Sequence, residues 1–217
     1  MHALALFPDA SSDRAWIHDQ LAGLLALVAE HVPDLQVTPR DLSGLVPAEA
    51  ARTRWTGVGA SSHCPTRERS DRLVSELEAA DLLVIGAPIG HHTGTPALAE
   101  WFRRAKTSKA YGAPLYAMGL DPNLQAWFTH VIRADRTFRY TAEGPRGLLA
   151  GKKALVLAAQ TGPWCRDEMT AHRVHCIHTQ LRFMGIDDIA TVASDRGSNP
   201  ADHPRHWKPQ PPQRLAA

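Results

Sequence analysis

Two histidines, His91 and His92, follow closely on an apolar run that ends in Gly86-Ala87-Pro88. An imidazole near neutral pH can give or take a proton, so this pair is a candidate general acid–base group; two loop histidines in water are the competing reading. Ser11 and Ser12 stand just before a helical pattern, where hydroxyls and free N–H groups either hold a phosphate or simply cap the helix. His172, His175 and His178 share one segment with Cys176, and Cys165 lies upstream. These are metal-ligand residue types. No carboxylate or second cysteine pair completes a recognised spacing, so a polar helix face is expected there and no metal. Tyr140 carries a phenol able to hydrogen-bond a substrate oxygen.

The elements that must position these groups alternate. Ala3–Phe7 reads as a buried strand, and Ile17, Leu21, Leu24, Leu25 and Val28 recur at helical spacing until Pro33. Leu35–Thr38 reads as a second strand closed by Pro39, residues 43–65 as a long loop, and Thr66–Ala80 as a helix. Asp81–Ala87 and Ala154–Ala158 are the third and fourth strands, Asp167–Met184 a helix, and Ile189–Ala193 the fifth strand. This alternation predicts an α/β fold, a doubly wound five-stranded parallel sheet in the flavodoxin-like order 2-1-3-4-5. Ligands then belong at the carboxyl ends of strands one, three and four.

One segment is written twice. Gly86-Ala87-Pro88-Ile89 returns as Gly112-Ala113-Pro114-Leu115, and Pro96, Leu98, Trp101 and Phe102 return as Pro122, Leu124, Trp127 and Phe128. The first copy follows the strand, so the second, an insert over about residues 106–131, is expected to add a layer near the mouth of the crevice. Trp101 and Trp127 sit at helical spacing from Leu98 and Leu124, which marks them as packing residues. The expected organisation is a single domain over residues 1–198 followed by a proline-rich tail over 199–217.

A formal charge of +2 on 217 residues is too mild for a nucleic-acid partner. Three cysteines make an odd count without framework spacing, and no apolar stretch approaches a membrane span. A cytoplasmic protein with no membrane partner is expected.

Glu78–Pro88 resembles the third-strand signature of FMN-dependent NAD(P)H azoreductases and quinone reductases. Thr137-Phe138-Arg139-Tyr140-Thr141, the run from Gly144 to Lys153, and Leu181–Ile186 resemble further parts of that family. The resemblance covers about residues 70–195. It implies a homodimer with FMN at the subunit boundary, NAD(P)H as donor, and a small quinone-like or other conjugated aromatic acceptor. It places the cofactor at Ser11, Ser12, Pro88, Ile89, Gly90, Ala159, Gln160, Thr161 and Gly162, and the substrate beside Tyr116, Phe138 and Phe183. His91 and His92, by their place after strand three, and Tyr140, by its phenol, are the expected catalytic groups. Where the family carries Met-Tyr-Asn-Phe after strand three, the first copy has Ile89-Gly90-His91-His92 and the second Leu115-Tyr116-Ala117-Met118. Such departures leave open a flavin-independent enzyme on the same scaffold, doing acid–base chemistry (cyclisation, dehydration or rearrangement) on an aromatic substrate.

Overall fold

The computed structural model describes residues 1–8, 14–45, 65–89, 120–160 and 167–195. β1 (His2–Phe7) is an interior strand of its sheet, where Ala3 and Ala5 point to one face, Leu4 and Leu6 to the other, and all four are fully buried. Period-two alternation with both faces apolar is what a central strand of a covered parallel sheet requires. Helix α1 (Arg14–His31), β2 (Gln36–Asp41), α2 (Pro65–Ala79) and β3 (Leu82–Ile89) follow. Next come α3 (Pro122–Val131), a hairpin of β4 (Phe138–Thr141) and β5 (Gly144–Gly147), then β6 (Lys153–Gln160), α4 (Asp167–Phe183) and β7 (Asp188–Asp195). The parallel sheet runs β2-β1-β3-β6-β7, the expected order once the hairpin is set aside.

Strand limits differ from the sequence reading in instructive ways. β2 runs through Pro39 because it is an edge strand, bonded to β1 alone, where a missing N–H can face the open side. β3 and β6 extend to Ile89 and Gln160, since each bonds the other over eight residue pairs. The β4–β5 hairpin was not anticipated. Its signal was the alternating Phe138-Arg139-Tyr140-Thr141 run, a two-residue turn, and Gly144 at φ +120°.

Two cores line the sheet. α1 packs Leu21 on the face of Ala3, Ala5, Val84 and Leu157, while α2, α3 and α4 cover the face of Leu4, Leu6, Leu83, Ile85 and Val156. Among the described residues no helix is long and apolar enough to cross a membrane.

The duplicated segment corrects the expectation of an added layer. α3, from the second copy, belongs to the core: Leu124, Ala126, Trp127, Phe128 and Val131 are all at most 2% exposed. Asp121 caps it, accepting from the N–H groups of Asn123 and Leu124 at 3.0 Å, with Pro122 opening the first turn. The Ser70 hydroxyl donates to the His130 carbonyl at 2.7 Å, Arg133 pairs with Asp71, and Arg136 forks onto Glu78 at 2.9 and 2.7 Å. The Arg136 hydrogen bond, against some burial, holds the Glu78 carboxyl below its ordinary value. The sequence explains the choice of copy. The first copy has Glu100, Ala105 and Thr107 where the second has Ala126, Val131 and Arg133. Placed in this slot it would bury a carboxylate and forgo the bond to Asp71. The expected insert over about 106–131 thus includes most of a core helix, while residues 90–119 and the proline-rich tail lie outside the described residues.

Trp127 fills the centre of the slot, edge-on to Phe128 at 5.1 Å, and its indole N–H has no acceptor among the described residues. Trp127→Ala should cost about 3–5 kcal/mol in chemical denaturation, whereas Trp127→Phe, which discards an unsatisfied donor, should cost less than half of that. Equal losses would mean the indole N–H is bonded after all. Deleting residues 90–115, which joins Ile89 to Tyr116, retains β3 and α3 entire. The shortened chain should unfold in one transition within about 5 °C of the parent.

α4 meets β7 through His178, whose Nε2 lies 2.9 Å from the Thr191 hydroxyl. Burial, then the positive Arg182 and His175 beside it, hold its pKa below the ordinary 6.5. The unfolded chain thus binds the proton more readily. Stability should be intact above about pH 6.5 and decline as the pH falls below it. His178→Gln should flatten that limb of the stability–pH curve; an unchanged limb would remove His178 as its source.

Candidate functional site

The carboxyl ends of β1, β3 and β6 meet at one end of the sheet. Pro88 of β3 pairs with Ala159 of β6, and Ile89 with Gln160. Gly86 lets β1 come close: a Cβ there would lie 2.9 Å from Pro8 Cδ and 3.3 Å from the Leu6 carbonyl. Pro8, Pro88 and Ala159 are all buried. The expected crevice residues Pro88, Ile89, Ala159 and Gln160 are thus together, and the chain after β1 reaches them. Ser11, Ser12, Gly90, His91, His92, Tyr116, Thr161 and Gly162 lie outside the described residues.

α1 begins at this same end and carries no acidic residue in its first turn. Its first residue, Arg14, was not singled out from sequence, although an arginine directly after Ser11-Ser12-Asp13 at a helix start was the available signal. Its guanidinium bonds Asp41 at the carboxyl end of β2, at 2.6 Å. Burial pushes the Asp41 carboxyl up, but the Ser43 N–H at 2.8 Å and Arg14 outweigh it and hold the pKa below its ordinary value. Asp41 therefore stays ionised and fixes Arg14 beside the helix start, where positive charge and the helix dipole act together on an anion.

The donor set suits a flat ring with a phosphate tail. Gly86, Ala87, Pro88, Ala158 and Ala159 form a shelf of small side chains over two paired strand ends, and the helix start supplies N–H groups and a cation. The residues present fit FMN on that chemistry.

Phe138, Tyr140 and Phe183 are also brought together, with ring centroids 5.3 Å apart for Phe138–Tyr140 and 4.6 Å for Phe138–Phe183. Within one chain they stand apart from the shelf, at the opposite end of the sheet. The hairpin precedes β6 and Phe183 ends α4 just before β7, so all three rings sit at the amino ends of the strands. An eight-residue strand separates the two ends by about 26 Å. Tyr140 is 75% exposed there and is aimed at nothing within its own chain's crevice.

The histidine segment lies on α4. His172 Nε2 is 3.7 Å from Cys176 Sγ, and His178 is engaged with Thr191. Among the described residues no three His, Cys, Asp or Glu side chains form a metal-holding group.

Comparison with known proteins agrees with this geometry. A family described as having a flavodoxin-like fold matches residues 108–208, a stretch that opens just before the second copy and runs through α3, the hairpin, β6, α4 and β7. The FMN-dependent NADH:quinone oxidoreductase of Thiobacillus denitrificans is 35% identical over 191 residues, covering 84% of this chain and 78% of its own. The FMN-dependent NADH:quinone oxidoreductase 1 of Jannaschia sp. is 32% identical over 168 residues, covering 74% and 73%. The chain spans 47% of the Pseudomonas aeruginosa FMN-dependent NADH:quinone oxidoreductase 3, at 34% identity over 128 residues, or 59% of this chain. Among solved structures, the azoreductase of Bacillus anthracis str. Sterne superposes with a TM-score of 0.60 at 18% identity, over 90% of this chain and 87% of its own. The FMN-dependent NADH-azoreductase of Bacillus anthracis str. Ames Ancestor, solved in complex with FMN, gives 0.59 at 16% identity, over 89% and 86%. With a sheet of the same order, a shelf at its carboxyl end and relatives of this length and likeness, the chain belongs to the FMN-dependent NADH:quinone oxidoreductase family.

Proposed function

We propose that the protein is a homodimeric FMN-dependent NAD(P)H oxidoreductase that reduces quinone-like or other conjugated aromatic acceptors. The observation that carries this reading is the shelf of Pro88, Ile89, Ala159 and Gln160 beside the start of α1. Bound FMN supplies the two-electron chemistry; the chain must hold the ring, exclude water from it and orient the acceptor. Pro88, Ile89, Gly90, Ala159, Gln160, Thr161 and Gly162 would hold the ring, and Ser11, Ser12, the α1 dipole and Arg14 would hold the phosphate. His91 and His92, which follow β3 in the chain, would serve as proton donors.

The aromatic hairpin supports the dimer. Phe138, Tyr140 and Phe183 lie a strand's length from their own shelf, and an exposed tyrosine beside two phenylalanines suits the wall of another subunit's crevice. In this reading the acceptor rests between one protomer's shelf and its partner's hairpin, where the Tyr140 hydroxyl donates to an acceptor oxygen. The flavin-independent alternative has no observation in its favour.

The purified chain should take up FMN with quenched flavin fluorescence, sediment as a dimer, and oxidise NAD(P)H in the presence of a benzoquinone. Indifference to FMN would overturn the reading. Gly86→Val, which drives side-chain carbons into Pro8 and the Leu6 carbonyl, should weaken FMN uptake. Tyr140→Phe should leave uptake intact and lower kcat/KM for the quinone about tenfold, the worth of one hydrogen bond. Mixing Gly86→Val with Tyr140→Ala subunits tests the shared site directly. A heterodimer holds one intact site if crevice and hairpin come from different protomers, and none if they come from the same one, so recovered activity supports the arrangement and no recovery overturns it.

A further inference from the structure

Gln20 interrupts the apolar stripe of α1. It lies between Ile17 and Leu24 on the side of the helix turned to the sheet, and it is only 6% exposed. Ser194, near the end of β7, is 2% exposed, and its hydroxyl donates to Gln20 Oε1 at 2.5 Å. The two residues are 174 positions apart in the chain. A leucine at position 20 would bury apolar area and leave no polar group to satisfy, so stability alone does not ask for this pair. What a satisfied buried hydrogen bond adds is direction. It fixes one registration where apolar surfaces can slide.

The registration concerned is that of the crevice. Ser194 pairs with Ala159, and Ala159 with Pro88, so one row of residues crosses β7, β6 and β3 at the shelf. Ile17 packs on Ala159, and Leu21 faces Gly86. Ile17, Gln20 and Leu21 thus seat α1 directly on the strands that form the shelf. The start of the helix, with its N–H groups and Arg14, lies about 9 Å before Gln20 along the axis. A second polar tie, from Arg14 to Asp41 of β2, is half-exposed and open to screening by salt. A slip of one residue would carry the helix start about 1.5 Å along its axis. A hydrogen bond of about 2.9 Å does not survive that displacement, while the shelf, which belongs to β3 and β6, stays where it is.

We propose that Gln20 and Ser194 are positioning residues for the cofactor. Their bond sets the distance between the ring site on β3 and β6 and the phosphate site at the start of α1, and so makes the crevice selective for FMN over riboflavin. The inference rests on the proposed function, which assigns the ring and the phosphate to those two places.

Fluorescence-quenching titration of the flavin-free, full-length protein with FMN and with riboflavin reads the two sites separately, without turnover. The parent should bind FMN more tightly than riboflavin. Ser194→Ala and Gln20→Leu, each folded by circular dichroism, should lower FMN affinity about tenfold, the worth of one hydrogen bond to a charged group. Riboflavin affinity should hold within about twofold in both, since the shelf is untouched. Ser194→Thr, which keeps the hydroxyl, should retain the parent's ratio. Ser194→Ala removes a single oxygen atom and carries the test alone should Gln20→Leu not fold. A merely structural pair would lower both affinities by the same factor; that result, or a ratio unchanged from the parent's, overturns the positioning role. A parent that takes up neither flavin overturns the proposed function itself, so the two failures are told apart.

Discussion

The pairing of β3 with β6 governs the rest of the molecule. Eight consecutive residue pairs hold two strands in register from Leu82–Lys153 to Ile89–Gln160. That register brings the small residues Gly86, Ala87, Pro88, Ala158 and Ala159 side by side near the carboxyl edge. Parallel strands can only be joined by crossovers, so α3 and the hairpin between them must return the chain to the amino end. Every candidate cofactor contact thus collects at one end and every returning loop at the other. Gly86 belongs to the same constraint. With any side chain there, the segment after β1 could not close over β3, and the shelf would lose one wall.

The internal repeat is resolved by burial and charge rather than by chain order. The strand of the first copy is used because it follows α2 directly, and the helix of the second because it alone matches the slot. A position 2% exposed accepts Ala126 and would not accept Glu100 without a partner. Arg133 and Arg136 then lock the choice, since the carboxylates they meet, Asp71 and Glu78, are already on α2.

Much of this was legible beforehand, for identifiable reasons. The doubly wound order followed from alternating apolar runs and helical stripes, because central parallel strands cannot hide their composition. The crevice followed from topology, which needs only the strand ends. The hairpin was missed because four-residue strands carry little pattern and Tyr140 and Arg139 offer no buried face. The copy choice was missed because both copies share Leu, Trp and Phe, and the deciding differences, Glu100 against Ala126 and Thr107 against Arg133, matter only beside α2. Arg14 was passed over because its meaning comes from Asp41, 27 positions away in the chain.

The two ends of the sheet are chemically unlike. The carboxyl end offers backbone groups, small side chains and one held cation; the amino end offers three aromatic rings on a hairpin fixed to α4. A flat redox cofactor suits the first, because a ring needs a surface without projections. An aromatic acceptor suits the second, because it arrives from solvent and is recognised by stacking. One chain cannot bring the two together across the length of its own strands. A pair related by a twofold axis can, with each protomer lending its amino end to the other's shelf. In that proposed arrangement the exposure of Tyr140 is the open half of a contact, while Arg139 and Arg146 stand on the other face of the hairpin.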